Sequence, residues 1–262
     1  MPNVKIDGAQ YAYRTGGSGE PVLLLHGFPF TSESFWPQLD APPPGVRVIC
    51  PDHRGFGGSD LRPGISTMED LAADALKLLD ALGLKSVIVG GVSMGGYAAM
   101  ALLRIDPSRV KGLVLADTHP LADDAAGKEK REQVAKDVEK NGMAGYASQA
   151  LNNLLAKDAK PYVRARIEAI MKSVKPQATA AAARGMAMRS DSREILGRYS
   201  GPALIVVGEH DALSPPARAQ EMKALMPKSK LVVIPGAGHL ANVEAPQEFN
   251  QALGEFVSTV QG

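Results

Sequence analysis

A single cysteine, Cys50, among 262 residues leaves no partner for an internal disulfide and excludes a metal site built from several cysteines. It ends the mostly apolar run Val46 to Cys50, the setting of a small buried hydrophobe rather than a reactive thiol. No apolar run reaches the roughly 18 residues that a membrane span needs, and the start Met1-Pro2-Asn3-Val4-Lys5 lacks the apolar core of a secretion signal. A cytoplasmic location is the expectation. Charge of one sign is missing too. The 29 Lys and Arg stand against 28 Asp and Glu and are scattered, which gives no electrostatic footprint for nucleic acid or an acidic membrane face. The expected partner is therefore a small molecule, and both a monomer and a homodimer are compatible with the sequence.

What is present is 45% hydrophobic and 22% charged content, ordinary for one globular unit with a sizeable core. Short β-rich runs alternate with helical patterns, the order that produces a mainly parallel sheet covered on both faces. Val4 to Ile6 and Gln10 to Tyr13 read as an antiparallel opening pair around Asp7-Gly8. Mainly apolar strands follow at Val22 to Leu25, Val46 to Cys50, Ser86 to Val89, Gly112 to Ala116, Leu204 to Val207 and Leu231 to Ile234. The clearest helix starts at the N-cap Thr67 with Asp70 in capping-box position and stops at Gly83. Residues 120–198 change character. Ala, Lys, Glu and Met dominate, with helical spacing broken near Gly142 and Pro161, so this stretch reads as a helical lid inserted into a core of residues 1–119 and 199–262.

Gly91-Val92-Ser93-Met94-Gly95 falls between an apolar strand and a helix. A sharp turn there strains Ser93 and requires small flanking residues, and it lifts the hydroxyl above the carboxyl edge of the sheet. Serine needs a base. Five histidines follow strand ends: His26, His53, His119, His210 and His239, the last in the Gly-rich loop Pro235-Gly236-Ala237-Gly238-His239. In His26-Gly27-Phe28-Pro29, Gly27 permits a tight turn that can aim the Phe28 N–H at the site beside the Met94 N–H, two donors for an oxyanion. His26 itself reads as a loop anchor.

These motifs, with Asp52-His53-Arg54-Gly55-Phe56-Gly57-Gly58-Ser59-Asp60 and Gly208-Glu209-His210-Asp211, resemble the α/β-hydrolase superfamily in content, order and spacing from near residue 20 onward. Similar members are small carboxylesterases, 3-oxoadipate enol-lactonase-like enzymes and cofactor-free perhydrolases. The resemblance implies an α/β-hydrolase fold with a mostly parallel eight-stranded sheet, helices on both faces and a helical lid. Its chain order of nucleophile, acid and histidine selects Ser93, Asp211 and His239 as the catalytic triad, with Asp117 and Glu209 as rival acids. The Asp52 to Asp60 block becomes a structural turn, and neither a metal nor a cofactor is called for. Ser93 stands where similar epoxide hydrolases and haloalkane dehalogenases carry Asp, which disfavours their chemistry. The segment Val134 to Met143 is similar to the enol-lactonase group, although the only tryptophan, Trp36, lies outside the lid.

The expected activity is hydrolysis of a small carboxylic ester or lactone through an acyl-enzyme on Ser93. Alternatives on the same residues are a C–C (β-diketone) hydrolase, a perhydrolase, or a receptor that binds without turnover. Phe30, Met143, Met186 and Met188 are candidate pocket walls beside Phe28 and Met94, although a helical Met row is more often core packing. Arg184 and Arg189 are candidates to receive a substrate carboxylate, against the plainer expectation of an exposed helix face.

Overall fold

Strands that are apolar at every position need two buried faces, and a single central sheet provides them. In the computed structural model, which describes residues 1–261, the strands are β1 (Asn3–Ile6), β2 (Ala9–Gly17), β3 (Glu20–Leu25), β4 (Val46–Pro51), β5 (Val87–Val92), β6 (Val110–Ala116), β7 (Ala203–Gly208) and β8 (Lys230–Ile234). They form one eight-stranded sheet of order β1-β2-β4-β3-β5-β6-β7-β8. The pairs β1–β2 and β2–β4 are antiparallel, and every other pair is parallel.

The helices are α1 (Trp36–Asp40), α2 (Met68–Ala81), α3 (Met94–Ile105), α4 (Ala125–Asn141), α5 (Met143–Leu154), α6 (Pro161–Ser173), α7 (Pro176–Ala187), α8 (Arg193–Arg198), α9 (Pro216–Leu225), α10 (Ala241–Glu244) and α11 (Pro246–Gln261). Alternation along β3 divides the core between two helical layers. Leu23 and Leu25 pack with Leu71 and Leu78 of α2 and Leu102 of α3. Val22 and Leu24 turn the other way, toward Phe249, Leu253 and Phe256 of α11. Helix α2 opens on a complete capping box between Thr67 and Asp70, and Gly83 follows its C-cap with φ of 68°.

Two local features prepare the site. The chain lays β4 on one side of β3 and then β5 on the other, so the strand order reverses between β3 and β5. Open α/β sheets form their binding crevice at such a reversal, outside the carboxyl ends of the strands. Strand β5 also runs beyond the expected end at Val89 to Val92, because its ladder with β6 continues to the pair Val92 and Ala116. Gly90 is compatible with this buried strand because a Cβ there would stand 2.8 Å from Val114 Cβ. On β4, Cys50 is fully buried, and burial, reinforced by Asp52, pushes its thiol pKa well above the usual value.

Helices α4 to α8 fill the interval between β6 and β7. Gly142, with φ of 76°, turns the chain from α4 into α5, and Pro161 and Pro176 open α6 and α7. Helix α4 packs along α7, and α5 packs against α6. No helix among the described residues is long and apolar enough to cross a membrane.

Candidate active site

Ser93 links β5 to α3 with φ of 55° and ψ of −117°, a conformation that side-chain-bearing residues rarely adopt. Its glycine neighbours make the turn possible. A Cβ on Gly91 would collide with the Gly95 backbone, and one on Gly95 with the Leu25 carbonyl. On Gly96 it would stand 2.6 Å from the Thr118 side chain. The turn is held by the Ser93 N–H, which donates to the Ala116 carbonyl at 2.9 Å, and by the Thr118 hydroxyl, which donates to the Ser93 carbonyl at 2.9 Å.

His239 reaches this serine from the loop after β8. Its Nε2 lies 2.8 Å from Ser93 Oγ, and its Nδ1 lies 2.8 Å from both carboxylate oxygens of Asp211. An ionised carboxylate only accepts, so Nδ1 carries the proton and the Nε2 lone pair faces the serine hydroxyl. Asp211 is buried in the turn after β7, where its Oδ1 also accepts the Leu213 and Ser214 N–H groups at 2.8 and 2.9 Å. Burial pushes its carboxyl pKa up, but the hydrogen bond and charge of His239, with those two N–H groups, outweigh burial and hold it below the usual value.

The rival acids are engaged elsewhere. Asp117 accepts the Gly208 and Ala241 N–H groups at 2.9 and 3.0 Å. Burial, with the nearby Asp211 charge, pushes its pKa well above the ordinary carboxylate value. Glu209 accepts the Gly236 N–H at 2.9 Å on the exposed side of the same turns.

Across from the serine, the loop after β3 comes close enough that a Cβ on Gly27 would sit 3.3 Å from Ser93 Cβ. The Phe28 and Met94 N–H groups have no acceptor among the described residues, and Met94 opens α3, whose N-terminus adds partial positive charge. His26 anchors this loop, accepting the His53 N–H on Nε2 at 3.0 Å. Asp52 is likewise structural, accepting the Ser32 and Gly58 N–H groups at 2.7 and 2.9 Å. Among the described residues, no three His, Cys, Asp or Glu side chains converge as a metal site.

Ser93 and His239 open into a cleft of about 610 Å³ beneath α4 and α5, within the usual size of a small-molecule site. Phe28, Val134, Tyr146, Leu154 and Met186 supply apolar wall, and Arg131, Gln149 and Asn153 are among its polar groups. The ring of Phe28 meets that of Tyr146 edge-on at 6.1 Å.

Of the expected wall residues only Phe28 and Met186 line this cleft. Phe30 is buried in the layer beneath the loop with Phe35 and Trp36, Met143 is buried where α5 begins, and Met188, just past the end of α7, is 61% exposed. The arginines also differ from expectation. Arg184 joins α7 to α4 through Glu132 and Glu139. Arg189 is buried, bonded to Leu121 O and Asp123 at 3.0 and 2.7 Å, with its guanidinium 4.2 Å from the Tyr97 ring centroid.

Sequence reasoning weighed His119 only as one of five possible bases and passed over Tyr97, both of which line the cleft, and Glu244, whose two oxygens accept the Gly238 and Ala156 N–H groups at 3.0 and 2.8 Å. Tyr97 carried a usable signal, standing one helical turn after Ser93.

A family model described as alpha/beta hydrolase fold matches residues 20–246. A thermophilic esterase of Thermogutta terrifontis, solved with malate bound, is 38% identical and covers 100% of this chain and 100% of its own, with a TM-score of 0.95. The enol-lactonase of Burkholderia xenovorans LB400 is 25% identical, with 98% of this chain and 100% of its own covered and a TM-score of 0.90. The sequence of 3-oxoadipate enol-lactonase 1 of Acinetobacter baylyi is 29% identical over 252 residues, which is 94% of this chain and 92% of that one. The strand order, the serine turn and a matched span that takes in all but the two ends lead to one assignment: this chain belongs to the α/β-hydrolase fold family.

Proposed function

We propose that this protein is a carboxylic ester hydrolase that cleaves small esters or lactones through an acyl-enzyme on Ser93. The carrying observation is the unbroken line of contacts at 2.8 Å from Asp211 through His239 to Ser93 Oγ. In this reading Ser93 Oγ bonds to the substrate carbonyl carbon as its proton passes to His239 Nε2. The carbonyl oxygen becomes an anion held by the Phe28 and Met94 N–H groups. Collapse expels the alcohol, which takes the proton from His239. Water then passes a proton to the same nitrogen as it attacks the acyl carbon, and collapse releases the acid while Ser93 Oγ takes that proton back from His239. Asp211 keeps the imidazole tautomer and stabilises the imidazolium without taking the proton.

Residues 120–198 act here as a lid that walls the cleft against water. The esterase and enol-lactonase relatives support ester or lactone chemistry over the other activities of the fold. The test is hydrolysis of a chain-length series of p-nitrophenyl esters, beside several lactones, by wild type and Ser93→Ala. Turnover lost in a folded Ser93→Ala is the expected result, and turnover that persists in the variant refutes the reading.

A further inference from the structure

Tyr97 lies four positions beyond Ser93 on α3, and helical side chains lean back toward the N-terminus, which brings the phenol toward the serine end of the cleft. The residue is only 7% exposed, yet it lines the cleft together with His119, Ser93 and His239. Its Oη is 3.0 Å from His119 Nε2, and the Leu121 N–H donates to His119 Nδ1 at 3.3 Å. A neutral imidazole has one donor and one acceptor nitrogen. Burial, with the Arg189 charge nearby, pulls the His119 pKa down to about 4, so the ring is neutral near pH 7. With Nδ1 taken as acceptor, the ring proton sits on Nε2 and is donated to the phenol oxygen. The phenol's own hydrogen must then point elsewhere, and no other acceptor for it exists among the described residues.

We infer that Tyr97, oriented by His119, is a recognition subsite that donates a hydrogen bond to a second oxygen of the substrate, a keto or carboxylate oxygen beyond the scissile carbonyl. The inference rests on the reading of Ser93 as nucleophile only for where that oxygen lies. The Arg189 guanidinium covers the Tyr97 ring and helps to fix it. Along the cleft lining Lys130 and Arg131 stand against Asp123 and Asp137, and the cationic excess lies beside the phenol, where Arg189 covers the ring. Asp123 is shared between Arg131 and Arg189 at 3.1 and 2.7 Å, one carboxylate for two guanidiniums, and Arg131 lines the cleft. A hydrocarbon chain in this place leaves the buried phenol hydrogen without a partner, and sites built to bond an oxygen reject analogues that lack it.

The test compares ethyl 4-oxopentanoate and ethyl hydrogen succinate with ethyl pentanoate, near-isosteric acyl groups with and without the second oxygen. Tyr97→Phe keeps the ring under Arg189 and removes only the hydroxyl. The expected result is a fall of about tenfold in the ratio of kcat/KM for an oxygen-bearing ester to that for the pentanoate, with a smaller fall in His119→Ala, where the phenol remains without its orienting partner. A larger effect on the oxo ester identifies a keto oxygen, and a larger effect on the succinate half-ester identifies a carboxylate. An unchanged ratio in Tyr97→Phe overturns the inference. Binding separates this result from failure of the hydrolytic reading. Ser93→Ala and Ser93→Ala/Tyr97→Phe are titrated by NMR with 4-oxopentanoate, succinate and pentanoate. A preference for an oxygen-bearing acid that vanishes with the hydroxyl upholds the subsite even without ester turnover, and the absence of any preference overturns it even if esters are cleaved.

Discussion

Asp117 Oδ2 accepts the Ala241 N–H at 3.0 Å across 124 positions of chain, while Oδ1 accepts the Gly208 N–H at 2.9 Å. One carboxyl therefore ties the end of β7, which leads to Asp211, to the residues just after His239. Its backbone has φ of 47°, which Asn tolerates better than Ala. Asp117→Ala leaves two buried N–H groups unpaired at about 1–3 kcal/mol each and adds backbone strain. Asp117→Asn keeps one acceptor and the turn. Urea unfolding should rank wild type above Asn and Asn above Ala, with kcat in the same order; an Ala variant as stable as wild type would refute the tie.

The two N–H groups of Leu213 and Ser214 both point at Asp211 Oδ1, so in Asp211→Asn the amide oxygen takes that position and the NH2 faces His239. The amide then donates to Nδ1 and moves the ring proton to Nε2, against Ser93. We expect kcat to fall by about 10⁴ with stability changed little, as for a triad whose tautomer is wrong. A loss below tenfold would show that Asp211 does not set the tautomer.

Glu244 holds the His239 loop to the end of α5 through the Gly238 and Ala156 N–H groups, and the His239 N–H donates to Leu154 O at 3.0 Å. Glu244→Ala should accelerate deuterium exchange at the Ala156 amide and lower kcat/KM by roughly fivefold, the equivalent of one lost hydrogen bond. Unchanged exchange at Ala156 would dissolve the link.

Three histidines, His26 and His53 fully buried and His119 half-buried, make the fold acid-sensitive. Burial lowers His26 and His119 to about 4 and His53 well below its usual value. As pH falls below about 6.5 the unfolded chain takes up protons that the folded state refuses, so stability is full above that pH and is lost as the pH drops toward 4. Calorimetry at pH 7, 6, 5 and 4 should show Tm falling throughout. His119→Gln should flatten part of that slope, and a Tm constant from pH 7 to 4 would contradict the assignment of neutral rings.

Much of the fold is legible because strands such as β3 and β6 are buried on both faces and so carry unbroken apolar runs. The serine turn is legible because its glycines answer to backbone collisions that nothing larger could avoid. The cleft walls are not legible in this way. A methionine on a helix has the same spacing whether it faces core, ligand or solvent, and Met143, Met186 and Met188 take all three places. Arg189 looks like a surface residue until the fold brings Asp123, the Leu121 carbonyl and the Tyr97 ring around it. Such partners are set by tertiary packing, which local spacing does not encode.

Cys50 gives the molecule an internal clock. Its sulfur is sealed within β4 and its thiolate is disfavoured, so alkylating reagents must wait until the sheet opens. As the chain's only thiol, its modification by a maleimide in native buffer reports how often the central strands come apart, free of background from any other sulfhydryl. A cysteine introduced on the outer face of α6 at Tyr162, which is 57% exposed, would react at once, leaving the two sites distinguishable by time alone.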